Sequence, residues 1–274
     1  MVLPFKCWYT FPMHESDPTN AGQSFSIENL TDSRISQKKR PGKLFESENL
    51  HNKIIRVEQA DELLHKHNNR LELTELVQEA ENLFGELENK YGVNIPFDDY
   101  RIGKDKSGND IVYCVVDRID GKHLEEVGPS IEFSEQAETL YTSIAKYFLD
   151  KFEEGGLYLW DINGQSQYIY GKKAGEQEDK IYLIDTDIWM SRSHAGIYLT
   201  LEWLTRHMSG VERHVNRTFK KAREYIRQII CKPIPEEMSE SDRNTISQNI
   251  DNISRFLNRE KIRSGSKNAI PPFE

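Results

Sequence analysis

The chain has 274 residues, 37% hydrophobic and 30% charged, which is enough for one large domain or two lobes around a cleft and too apolar for an intrinsically disordered protein. A formal net charge of −9 argues against general nucleic-acid binding, because a phosphate backbone is held mainly by clustered Lys and Arg. No run approaches the ~20 apolar residues that cross a bilayer.

Cys7, Cys114 and Cys231 are odd in number and far apart, which fits a reducing, cytoplasmic setting and offers no metal-ligand spacing. Met1 to Phe5 soon gives way to charged, proline-containing sequence and lacks a signal-peptide core. The basic runs Gln37 to Arg40 and Lys220 to Arg223 read as a solvated loop tip and a solvated helix face. His65, His67, His207 and His214 do not assemble a zinc site.

Residues 1 to about 50 carry Pro4, Pro12, Pro18 and Pro41 in polar sequence, with weak strands over Ser24 to Ser36 and Lys43 to Glu46 around the turn Lys38 to Gly42. Lys53 to Val57 is a better strand, rich in β-branched residues. Leu76, Val77, Ala80, Leu83, Phe84, Leu87 and Tyr91 then mark one face of a long helix from Leu73, closed by Gly92. Extended sequence from Asn94 to Ile102 and the run Ile111 to Val116 form an antiparallel hairpin around a polar turn from Lys104 to Asn109. Asp117 to Gly121 reads as a hinge and Gly128-Pro129 as a second break. Ser134 is the expected N-cap of a helix that carries Ala137 to Phe152 and ends at Gly155-Gly156.

Leu157 to Asp161, Gln167 to Gly171 and Lys180 to Asp185 read as three short strands, with Asp161 and Asp185 meeting at one end of a small sheet. Two carboxylates so placed suit a site in which one orients a hydroxyl and the other holds a divalent metal on a phosphate chain. The alternative is that both are strand-end turn residues, where Asp is common. Helices follow at about 194 to 208, 211 to 231 and 241 to 262, broken between the last two by Pro233 and Pro235, and the tail from Ser264 is expected to be mobile.

The order strand with a basic residue, long acidic helix, hairpin, glycine hinge, helix and β-rich loop with two aspartates resembles the protein-kinase-like superfamily, most closely its aminoglycoside phosphotransferase-like branch, over residues 53 to 190. The resemblance rests on Gln78 to Pro96, on Val115 to Gly121 and on Ile184 to Asp187. It implies an α+β, two-lobed fold with a small β-rich N-terminal lobe over residues 1–120, containing one long helix, a mainly helical C-terminal lobe over 121–264, and a tail from 265. It also implies ATP and Mg²⁺ as cofactors, with Asp161 positioning the acceptor hydroxyl and Asp185 binding the metal. By the same resemblance Arg56 stands where the family has a phosphate-contacting lysine, Glu79 is its helix partner, and Val116 lies at the nucleotide hinge. The turn from Lys172 to Asp179 absorbs a longer interval between the aspartates.

The departures lie in the phosphate cradle. Leu159-Trp160 replaces the family's His-Gly or His-Arg pair, and Ser166 replaces its metal-holding asparagine. Asn163, Gln165 and Gln167 are nearby substitutes only if the loop is redrawn. Arg56 is a forked guanidinium in place of an ammonium, and no Gly-x-Gly-x-x-Gly run precedes it. Two readings follow: a divergent ATP- and Mg²⁺-dependent phosphotransferase with an unidentified hydroxyl acceptor and weak activity at best, or a catalytically inactive pseudokinase that acts as a protein-binding or regulatory module. Neither reading involves nucleic acid or a membrane.

Overall fold

The computed structural model describes residues 31–32, 44–46, 52–66, 71–105, 107–185, 188–234 and 238–263. The chain is a mixed α+β protein in which small antiparallel sheets precede and interleave with the helices. Strands β1 (Thr31–Asp32), β2 (Leu44–Glu46), β3 (Lys53–Gln59), β4 (Phe97–Lys104) and β5 (Asp110–Asp117) form one sheet in the order β1-β2-β3-β5-β4. The described parts of the expected weak strands are β1 and β2, which pair with each other; the rest of Ser24 to Ser36, the Lys38 to Gly42 turn, the basic run beside it and the tail from Ser264 lie outside the described residues.

Alternation along β3 and β5 gives the sheet two buried faces. Ile55, Val57, Ile111 and Tyr113 join Phe45 in a separate cluster on one face. Arg56, Cys114 and Tyr100 share a row on the other, where Tyr100, Val112 and Cys114 join the main core. That core includes α2 (Leu73–Tyr91), which follows the short α1 (Ala60–Lys66). Phe84 of α2 stacks on Phe97 at a centroid distance of 5.9 Å. Gly92 ends α2 at φ 69°, as a C-terminal glycine permits at no steric cost.

The segment read as a hinge runs into β6 (Ile119–His123), which pairs with β8 (Tyr168–Lys173), itself paired with β9 (Lys180–Leu183). Gly121 is there because it faces Gly171 across the ladder. A Cβ on Gly171 would lie 2.2 Å from the Asp120 carbonyl oxygen, and one on Gly121 would lie 2.4 Å from that of Tyr170. Between the two sheets, Asp117 accepts from Lys53 Nζ at 2.7 Å and lies 3.0 Å from Lys173 Nζ. Partial burial raises the Asp117 carboxyl, but the two ammonium groups outweigh it and hold it below the usual carboxylate range.

The strand after the long helix α3 (Ile131–Glu154) does not join β8 and β9 as the sequence suggests. This strand, β7 (Tyr158–Leu159), pairs with β10 (Met190–Ser191). The cap of α3 is Ser130, whose Oγ accepts from the Phe133 amide; Ser134 is one turn inside and donates to the Ser130 carbonyl. Helices α4 (His194–Val215), α5 (Lys220–Ile230) and α6 (Glu240–Arg263) complete the chain. The break expected near residue 210 does not occur, because buried Leu204, Met208 and Val211 carry one stripe through Gly210 to an αL cap at Asn216. Arg223, read as part of a solvated face, is 4% exposed and donates to Glu212 Oε1 at 2.8 Å and to the Leu257 carbonyl at 3.0 Å, tying together α4, α5 and α6. No helix among the described residues is long and apolar enough to cross a membrane.

The turn between β8 and β9 is closed by Glu176, which accepts from Tyr182 Oη, from the Lys173 amide at 3.0 Å and from Lys180 Nζ at 3.0 Å. Burial pushes this carboxyl up, and the hydrogen bonds overcome it to bring it down to about 2. A depressed folded value means that the stabilisation is whole above the ordinary value of 4.5 and disappears as the pH falls toward 2. The gap in melting temperature between the parent and Glu176→Gln should therefore be constant near neutrality and close between pH 4.5 and 2.5. In a urea titration, Gly171→Ala should lose about 1–3 kcal/mol, since only a shift of paired backbones makes room for the methyl group.

Candidate functional site

Arg56 and Asp185 are joined directly: Nη1 donates to Asp185 Oδ1 at 2.9 Å, across 129 residues of sequence. Their side chains are only 8% and 16% exposed, so neither charge is well solvated. Asp185 reaches this point because β9 is fixed on both sides. The Leu183 amide donates to the Asn94 carbonyl at 2.9 Å, the Asn94 side chain donates to the Ile181 carbonyl at 3.1 Å, and the Ile184 amide donates to the Gln167 carbonyl at 2.8 Å.

Arg56 has a second carboxylate beside it. Glu58 Oε1 lies 3.4 Å from Arg56 Nε, and its side chain is 11% exposed. The expected partner is Glu79 of α2, whereas the carboxylates found beside Arg56 are Glu58 and Asp185. Glu79 is half-buried and lines a surface depression with Leu71, Thr74, Glu75 and Gln78. The other helix glutamates are no substitute: Glu75 accepts from the Glu72 amide, Glu81 from the Tyr100 amide, and Glu86 from Lys151. The physical reason is strand periodicity, since residues two apart on β3 share a face and Glu58 needs no helix to deliver it. Alternation was the signal that could have identified it. Burial drives the Tyr100 phenol upward against the opposing pull of the Arg56 charge, so it stays neutral beside the guanidinium.

Val116 sits on the same face as Arg56, two residues beyond Cys114 and paired with Ile54, and is partly buried against the main core. Asp161 follows β7 on a loop held by Gln167, a residue 6% exposed. The Gln167 side chain donates to the Asp161 carbonyl at 2.7 Å and accepts from the Gly164 amide at 2.6 Å. The same residue's backbone holds Ile184, so one glutamine connects the two aspartate-bearing segments. Its amide is committed to the loop, as is that of Gln165, which donates to the His207 carbonyl at 3.1 Å. Ser166 is exposed on the intervening 3-10 turn (Gln165–Gln167). Trp160, next to Asp161 in sequence, packs on Trp189 with rings 4.8 Å apart, its amide donating to the Trp189 carbonyl. Tyr170 packs on Phe133 of α3.

No group of three or more His, Cys, Asp or Glu that could hold a metal occurs among the described residues. A magnesium ion that arrives on a nucleotide keeps several waters and takes one or two protein carboxylates, so a single carboxylate such as Asp185 fits that form of binding. What the arrangement can do chemically is present a guanidinium fork and a carboxylate together to a metal-bound phosphate chain.

The chain matches no protein-family model and no curated protein. Among solved structures, a complex titled "WaaP in complex with acyl carrier protein" is similar over 85% of this chain and 87% of that chain, at 9% identity and a TM-score of 0.39. At that distance the likeness says nothing about activity.

The ion pair can be weighed by a double-mutant cycle. Asp185→Ala leaves a nearly buried guanidinium short of one acceptor and should cost about 1–3 kcal/mol. Combined with Arg56→Ala, it should show a coupling energy of about 1 kcal/mol or more in urea unfolding, whereas additivity would mean that the contact contributes nothing.

Proposed function

We propose that this chain is a two-lobed, kinase-like phosphotransferase that binds a magnesium nucleotide and transfers its terminal phosphoryl group slowly to a hydroxyl acceptor. The observation that carries the reading is the meeting of Arg56 and Asp185, from opposite ends of the kinase-like segment, beside a loop on which Gln167 fixes Asp161. In this reading Arg56 contacts the phosphate chain and Asp185 is the protein ligand of the magnesium brought by the nucleotide. Asp161 orients the acceptor hydroxyl and receives its proton, and Val116 lies against the base. The metal supplies neutralisation of charge between the phosphates. A cytoplasmic location, where ATP is abundant, belongs to the same proposal.

Slow turnover follows from what the site lacks. Phosphoryl transfer depends on positioning, and the His-Gly pair and the asparagine of related enzymes are replaced by Leu159-Trp160 and exposed Ser166. Two missing contacts at about 2–3 kcal/mol each slow the chemical step by about a thousandfold or more. The competing reading, a pseudokinase, is favoured by one observation: Asp185 is already engaged by Arg56, so a metal must compete for its carboxylate.

Two measurements separate these readings. Mg-ATP should raise the melting temperature of the parent protein, because a ligand of the folded state alone must stabilise it, and Asp185→Ala should abolish the magnesium-dependent part. ATP consumption over a panel of hydroxyl acceptors, at enzyme concentrations that resolve single turnovers, should exceed background in the parent and fall to background in Asp161→Asn. Binding without any difference between these two proteins identifies the pseudokinase, and the absence of binding refutes the phosphotransferase.

A further inference from the structure

Helix α4 carries a stripe of residues, Gly196, Thr200, Trp203, His207 and Gly210, spaced three and four apart so that they share a face. All but Trp203 meet the segment that bears Asp161. A Cβ on Gly196 would lie 3.5 Å from Trp160 Cδ1, and Thr200 Oγ1 donates to the Trp160 carbonyl at 3.3 Å. Toward the other end of the helix, Gln165 Nε2 donates to the His207 carbonyl at 3.1 Å and would lie 3.3 Å from a Cβ on Gly210. The loop is thus fastened to α4 on both sides of Trp203, and Asp161 to Gly164 span the interval. Its neighbours on the stripe are buried or half-buried, yet Trp203 in the middle is 44% exposed. The indole therefore stands open to solvent beside the Asp161 loop.

Its own helix sets its orientation. The His207 ring stacks on it at 21° and a centroid distance of 6.1 Å, and the Arg206 guanidinium lies 5.0 Å from the ring centre, with Glu202 3.6 Å from Arg206 Nη2. Resting on the phosphotransferase reading above, we propose that Trp203 determines acceptor specificity, as the platform for an acceptor without positive charge that carries its hydroxyl on a ring. An indole is a large, rigid apolar surface, and a ring laid on it gains contact over a whole face while its hydroxyls project from the edge. An open-chain alcohol has no such face. A cation is also drawn to an indole, but Arg206 already takes that position, so a positively charged acceptor meets a like charge there. In the transfer itself the acceptor oxygen bonds to the terminal phosphorus as the bond to ADP breaks, and the hydroxyl proton passes to Asp161.

The test is steady-state kinetics of the full chain with Mg-ATP and contrasting acceptors: methyl glucoside, inositol and phenol as uncharged rings, glucosamine as a charged ring, glycerol and choline as open chains. The parent should show its lowest acceptor KM with an uncharged ring, and comparison among the three rings distinguishes saturated from aromatic acceptors. Trp203→Ala should raise that KM about tenfold, while the Kd for Mg-ATP, read by calorimetry, stays at the parent value. Trp203→Phe keeps a smaller ring, should give an intermediate rise, and serves as the test should Trp203→Ala fail to fold. A parent that uses glycerol, choline or glucosamine better than every uncharged ring would overturn this inference and leave the phosphotransferase intact. An acceptor KM that neither Trp203 variant moves, or an equal loss of Mg-ATP affinity, would also overturn it. A parent that turns over none of the acceptors would remove the phosphotransferase reading and this inference together.

Discussion

A guanidinium inside a sheet must be compensated, and around that requirement the centre of this molecule is arranged. Moving a charged group out of water costs several kcal/mol unless opposite charge and hydrogen bonds replace the lost solvent. Arg56 is 6% exposed in a row with Cys114 and Tyr100, neither of which carries the needed negative charge. The compensation comes from Glu58 on the same strand and from Asp185 on another sheet. The second of these links β3 to the end of β9, and the bonds that hold Asn94, Gln167 and Ile184 place the carboxylate where it can do so.

Whatever was local and periodic could be read from the residues alone. The apolar stripe of α2, its glycine stop and the hairpin of β4 and β5 depend on spacing within a single segment, and all appear where the pattern puts them. What escaped depended on a partner elsewhere in the chain. Gly121 looks like a breaker until Gly171 is known to lie opposite, at which point a residue without Cβ is what lets the two strands approach. The strand at Tyr158 and Leu159 could not be assigned to β10 because a two-residue pairing has no periodicity to detect. Ser130 and Ser134 are both plausible caps one turn apart, and only the amide geometry at Phe133 separates them.

The site shows the same division. Arg56, Asp161 and Asp185 were singled out by residue type and order, and the structure joins Arg56 to Asp185 and ties the Asp161 loop to the neighbouring segment. Glu79 was chosen by analogy with a helix partner, although the alternation of β3 already placed Glu58 on the face of Arg56. By sequence Gln167 stands at the start of a strand and offers an oxygen donor for a metal only if the loop is redrawn. Its side chain and backbone are instead spent on closing the loop, a use that follows from burial: an amide at 6% exposure must satisfy its own hydrogen bonds before it can serve anything else.

The Asp117 cluster has a mechanical meaning. Its two ammonium partners belong to different sheets, Lys53 to the sheet of β3 and Lys173 to that of β8, and the three side chains are between 24% and 29% exposed. The chain passes from one sheet to the other within two residues at this point, from the end of β5 to the start of β6. Charge thus reinforces a joint whose two sheets also share one apolar core, with Val112 and Cys114 on one side and Tyr168 and Ile181 on the other. Charges at this depth are screened by dissolved ions, though less than fully exposed ones. The electrostatic part of the hold between the two sheets is accordingly a property of the solution as well as of the fold, and it weakens as ionic strength rises.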